Sequence, residues 1–224
     1  DNIYNEPTDG EWVTASYLTW PDMAAYLDWA GLRPLTELEY EKAGRGPLSP
    51  VAEEYAWGTN TIADYPYVLG NAGTATEVIT NMSSVFGNAI TDTSNVLLVR
   101  GGIFATQVST RVSAGAGYYG AMELTGNAVE IVVTTANTAG RSYTGKNGDG
   151  LLTNPGFANE DHWPGVNGSL GVLVDPGNFN GVVGVVSDGG ITHRGGSFMD
   201  IYAFKTRLYL STRNAFMGTG ATIQ

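Results

Sequence analysis

The side chains able to do chemistry in this chain are few. It has two histidines, His162 and His193, and no cysteine. Thiolate metal sites, disulfides and cysteine nucleophiles are therefore excluded, and two imidazoles cannot build a multi-histidine metal centre. A Ser-His-Asp triad remains formally open. However, His162 stands in the loop-like run Asn159-Glu-Asp-His-Trp-Pro164, and no Gly-x-Ser-x-Gly elbow accompanies either histidine, so both read as structural or solvated. Gly115-Ala-Gly117-Tyr-Tyr-Gly120 matches the dinucleotide fingerprint by letter. That motif works by seating a pyrophosphate at the start of a long helix, with a carboxylate about 20 residues further on. Gly126-Asn127 interrupts any such helix, and the span from Glu130 to Asp149 has no acidic residue between its ends. Asn147-Gly-Asp149-Gly could offer oxygens to calcium, but it lacks a bidentate Glu at the required offset, and turn chemistry accounts for it. The sequons at Asn81 and Asn167 are chance-level matches.

The elements that must position these groups begin with two helices. Thr19-Trp-Pro-Asp22 is a compact capping box, followed by Met23, Leu27 and Ala30 on one stripe, with Gly31 placed to end the helix. Thr36-Glu-Leu-Glu39 is a second box, with Leu35 and Tyr40 spaced as a hydrophobic staple and a stop at Gly44. Beyond residue 55 the helical period vanishes. Val96–Val99, Glu130–Val133 and Val182–Val186 read as short strands, and residues 137–181 form a long polar stretch rich in turn signals.

The 224 residues suffice for a single folded domain, 1–224, rich in glycine (31) and loops. The net charge of −11 opposes a nucleic-acid partner. No apolar run reaches the length of a membrane span, so membrane insertion is not expected. The acidic, glycine-rich composition and a start at Asp1 without Met or a leader read as an extracellular or cell-surface chain from which a segment was removed. Charge is uneven: residues 1–54 carry 11 acidic and three basic side chains, whereas residues 194–213 carry Arg194, Lys205, Arg207 and Arg213 against Asp200 alone. Two solvated faces or a head-to-tail assembly surface would both follow.

Three ordered blocks resemble the formylglycine-generating-enzyme (sulfatase-modifying factor) domain, a C-type-lectin-like fold. They are Leu18–Trp29 continuing through Arg33-Pro-Leu-Thr-Glu37-Leu-Glu-Tyr-Glu41 to Gly46 with Tyr55-Ala-Trp57-Gly58, then Tyr119–Glu130 with its Gly126-Asn127, then His193-Arg-Gly-Gly-Ser-Phe198. The resemblance implies an α+β, loop-rich fold with short twisted antiparallel strands and two short N-terminal helices. It also implies calcium held by the Glu123 and Glu130 side chains with the carbonyls of Gly126 and Ala128, and leaves the alternative that this loop is held by its own hydrogen bonds. Asn71 and Ala72 are candidates for a further calcium site. The family's copper-binding cysteines fall at Asp200 and Lys205, so neither copper nor the family's oxidation is expected. The family's strands before residue 10 and after Asn214 have no counterpart, which reads as a fragment or as strands supplied by another molecule.

Function is accordingly expected to be a non-catalytic extracellular structural or binding module that self-associates, as in a surface filament. A protein or glycan ligand would be met by a surface of Phe198, Asp200, Tyr202, Phe204, Lys205, Arg207 and Tyr209, for which core packing is the competing account. An altered enzyme built on Asp200, Lys205, His193 and Glu130 is the remaining alternative.

Overall fold

In the computed structural model, residues 10–136, 138–154, 156–166 and 190–199 are described. Among them the chain is a mixed helix and small antiparallel sheet structure dominated by loops. Helix α1 spans Trp20–Trp29, α2 Glu37–Arg45 and the single turn α3 Thr138–Arg141. Strand β1 (Leu69–Gly70) pairs antiparallel with β2 (Val78–Ile79), and β3 (Glu130–Val133) with β4 (Ile191–Arg194).

Both capping boxes form. The Asp22 N–H donates to Thr19 Oγ1 while the Asp22 carboxylate accepts from the Thr19 N–H, and Glu39 and Thr36 repeat the exchange. Each satisfies orphan donors of a first turn and stabilises it by about 1 kcal/mol. The α1 C-terminus closes as a Schellman motif: Leu32 N–H donates to Leu27 O and Gly31 N–H to Asp28 O, with Gly31 at φ +66°. The buried face of α1 is Trp20, Ala24 and Asp28, flanked by half-buried Met23 and Leu27. Ala30, expected on that stripe, is exposed because it lies past the last helical turn. Helix α2 runs one residue further than Gly44, to Arg45.

The β3–β4 ladder sits between the helices. Alternation along β3 sends Val133 into a cluster with Trp20, Ala24, Trp163 and Ile191, and Val132 into another with Tyr40, Ala56 and Leu124. Leu35, expected to staple Tyr40, packs against the cluster that contains Tyr40. The expected strand Val96–Val99 is irregular chain. Its Val99 is core, but the Asn127 side-chain amide takes the place of a partner strand, accepting from Val99 N–H and donating to Val99 O. The expected strand Val182–Val186 lies outside the described residues, and β4 forms where no strand was expected.

Candidate functional site

Antiparallel register puts Glu130 opposite Arg194 and Ile131 opposite His193. Directly opposed residues share a sheet face, and successive residues alternate. Glu130 and Arg194 therefore look toward α2, whereas His193 looks the other way, and the pair His193/Glu130 of the enzyme alternative is not brought together. Asp200 and Lys205, its other members, lie outside the described residues. Burial lowers the His193 pKa, and its Nε2 has no hydrogen-bond partner among the described residues.

The α2 face holds a buried charge cluster. Arg194 forms an ion pair with Glu41, its Nη1 is 3.9 Å from Glu37 Oε2, and its guanidinium lies 5.1 Å from the centre of the Tyr40 ring. Glu37 is buried because β3 runs into a threonine pair: Glu37 Oε1 accepts from Thr135 N–H (2.7 Å), Thr135 Oγ1 (2.7 Å) and Thr134 Oγ1 (3.1 Å). Tyr40 is sealed in, and its hydroxyl donates to Leu124 O. Burial, with the neighbouring Glu130, pushes that phenol well above its usual range. Glu37 and Glu41 belong to the acidic N-terminal block and Arg194 to the basic one, so part of the sequence's charge asymmetry is neutralised inside the molecule.

The loop 123–130 places the four proposed calcium donors as follows. Glu123, at φ +58°, accepts a 2.9 Å hydrogen bond from Gly102 N–H, and burial raises its pKa. Gly126 sits at φ +75° against Ile90, where a Cβ would come within 2.2 Å of the Ile90 carbonyl oxygen. Ala128 lines a narrow groove with Tyr17, Met23, Leu98, Ile131 and Phe198. Glu130 is driven well above the usual carboxyl range by burial, and its Oε2 has no donor among the described residues. That orphaned oxygen is a fitting cation ligand. Glu123, by contrast, already accepts from Gly102, although its charge is near enough to help raise the Glu130 pKa. The set fits calcium in part only. Among the described residues no cluster of three or more His, Asp or Glu side chains could hold a metal.

Asn71 Nδ2 donates to Thr76 O and Asn71 O accepts from Thr74, so Asn71 closes the β1–β2 turn. The Asn147–Gly150 loop is likewise turn chemistry: Asn147 Nδ2 donates to Gly31 O, and Leu151 N–H donates to Asp149 Oδ1. His162 is exposed in a turn. The Gly115–Gly120 segment opens no helix.

Of the proposed ligand surface, only Phe198 is described. It is half-buried against the cluster of Ile90, Val99 and Phe104, and its N–H donates to Asn127 O. Asp200, Tyr202, Phe204, Lys205, Arg207 and Tyr209 lie outside the described residues. What sequence reasoning missed is an apolar face at the end of α1. Tyr26 (55% exposed) and Trp29 (63%) stand one turn apart with ring centroids 6.3 Å apart. Beside them the loop 148–150 is hydrogen-bonded to the backbone of Asp28 and Leu32, which brings Leu32 (48%) and Leu151 (64%) to the same end. The i, i+3 spacing of Tyr26 and Trp29 was the available signal.

No known protein family, no curated protein and no solved structure matches this chain. Among the described residues no helix is long and apolar enough to cross a membrane.

Proposed function

We propose that this chain is a non-catalytic, self-associating module of the formylglycine-generating-enzyme type, on a C-type-lectin-like scaffold, that works outside the cell or on its surface as a building block of a larger assembly such as a filament. The observation that carries the reading is the apolar end of α1, where the exposed Tyr26 and Trp29 rings lie against each other and Leu32 and Leu151 are exposed on chain segments hydrogen-bonded at that end. Contiguous apolar surface of this kind is buried by association, and aromatic residues are the commonest anchors of such contacts. The absence of cysteine removes the thiolate on which the resembling family's oxidation depends. The partner is a second copy of this chain.

The test is sedimentation velocity of the purified chain over a hundredfold range of concentration, beside the double variant Tyr26→Ser/Trp29→Ser. Both sites are exposed, so the variant should keep the parent's melting temperature while losing its oligomers. A parent that stays monomeric throughout would refute self-association.

A further inference from the structure

Between residues 105–111 and the glycine-rich loop 114–122 lies a cleft of ≈ 260 Å³. Its lining includes Arg111, Tyr118, Thr106, Ser109, Thr110 and Met122. Ala105, Thr106, Thr110, Tyr118 and Gly120 are exposed, so the cleft is open to solvent.

Arg111 is firmly placed. Its Nη2 donates to Gly44 O (2.9 Å) and Ala56 O (3.0 Å), which caps the C-terminal end of α2 with a cation. Its guanidinium lies 5.5 Å from the Tyr118 ring centre, and Tyr118 in turn lies on Gly46, where a Cβ would come within 2.3 Å of the ring. Arg111 forms no ion pair among the described residues, in contrast to Arg33, Arg45, Lys146 and Arg194. Its hydrogen bonds among the described residues go to backbone carbonyls, and burial holds its pKa below the usual guanidinium value against the opposing pull of Glu54, a carboxylate already paired with Arg45.

We propose that this cleft binds one acidic saccharide unit, with its carboxylate on Arg111 and a face of its ring against Tyr118. Size and charge select this class. The volume is just below the range of sites for drug-sized ligands, which suits a single sugar ring. One cation in a chain of net charge −11 matches a monoanion and disfavours a polyphosphate. The loop 115–120 opens no helix to meet phosphates. The hydroxyls complete the match: Ser109 Oγ donates to Phe104 O, so in the Thr106–Ser109 pair Thr106 is the donor, and its oxygen keeps lone pairs for a sugar hydroxyl. This site lies away from the Tyr26/Trp29 end and does not depend on self-association.

The experiment is an amide NMR titration of the full chain with sodium glucuronate, glucose and acetate in separate arms. Saturable shifts of residues 105–122 with glucuronate, and at least about tenfold weaker binding of both glucose and acetate, are expected, because a charge-assisted contact contributes about 1.5–3 kcal/mol and 1.4 kcal/mol is tenfold. Ala105→Trp fills the cleft from an exposed position without touching Arg111, and Arg111→Lys keeps the charge but not the planar fork. Each should weaken glucuronate by about tenfold or more while the amide spectrum stays folded. No shift with glucuronate, glucose or acetate binding equal to it, or unchanged affinity in a folded Ala105→Trp variant would each overturn the proposal.

Discussion

Glu130 and Arg194 stand directly opposite one another in the β3–β4 ladder and form no ion pair. Arg194 turns to Glu41 on α2, which leaves Glu130 wedged between Gly195 and Tyr40 with an oxygen that receives no proton donor. An unpaired buried carboxyl favours its neutral form. Its folded pKa lies above the unfolded value near 4.3, so its stabilising contribution is full below that pH and is lost as pH rises through the folded pKa. Glu130→Gln should therefore be at least as stable as the parent at pH 7, and the difference should vanish below about pH 4. Urea denaturation at both pH values, with and without millimolar calcium, reads this out. A loss above about 2 kcal/mol at pH 7 would mean that the carboxylate is held by a donor or a cation.

Arg194 predicts the opposite behaviour. It neutralises buried Glu37 and shares half-buried Glu41 with Arg45, so Arg194→Met removes the cation beside Glu37 and should cost about 3–5 kcal/mol. Tyr40→Phe, which removes only the donor to Leu124 O, should cost about 1 kcal/mol. If the two losses prove equal, the charge cluster does not dominate this face.

The first turn of α2 is a separate case. Glu39 is held down at about 2, first by Arg33 and then by the Thr36 cap, against the cost of burial. Its folded pKa is below the unfolded one, so its contribution is present above about pH 4.3 and lost as pH falls toward 2. Thr36→Ala should cost about 1 kcal/mol at pH 7, and Glu39→Gln should show its penalty at pH 7 and little of it at pH 2, measured by chemical denaturation.

These predictions also mark what the sequence made legible. Local chemistry was readable: both capping boxes, the Leu35–Tyr40 staple and strand β3 depend on residues a few positions apart. Long-range substitutions were not. Val96–Val99 has strand composition, but the Asn127 amide, 28 residues away, satisfies Val99 in place of a ladder. Strand β4 was hidden because it is only Ile191–Arg194, where two β-branched residues are followed by His193 and Arg194, and its pairing with β3 supplies the reason it forms. Arg194 reads in sequence as part of a basic surface block, whereas the fold commits it to α2. The Arg111 cleft gave no signal because its walls come together only when the glycine loop docks on the C-terminus of α2.

Gly126 tests that docking principle on the candidate loop. With φ +75° and the Ile90 carbonyl oxygen within 2.2 Å of where a Cβ would stand, an alanine is strained in conformation and has no space. Gly126→Ala should destabilise by about 3 kcal/mol or more, whereas Gly73→Ala, equally at positive φ (+73°) but with open space around it, should cost about 1 kcal/mol. Thermal melts of the two variants separate steric closure from backbone preference.

Asp28 links the fold to the apolar end on which association is proposed. It is fully buried in α1, where Oδ1 accepts from Asp149 N–H (3.0 Å) and Oδ2 from Asn159 N–H (2.8 Å). Its carbonyl accepts from Gly150 N–H, so one residue holds both ends of the 149–159 loop, including the backbone next to Leu151. Asp28→Ala leaves two backbone donors without acceptors and should cost roughly 2–4 kcal/mol. Limited proteolysis gives the local readout: cleavage within 147–159 should appear in Asp28→Ala at temperatures where the parent resists and where the far-UV signal of both is still native. Uniform loss of structure without preferential cleavage there would show that Asp28 supports the core as a whole rather than this loop.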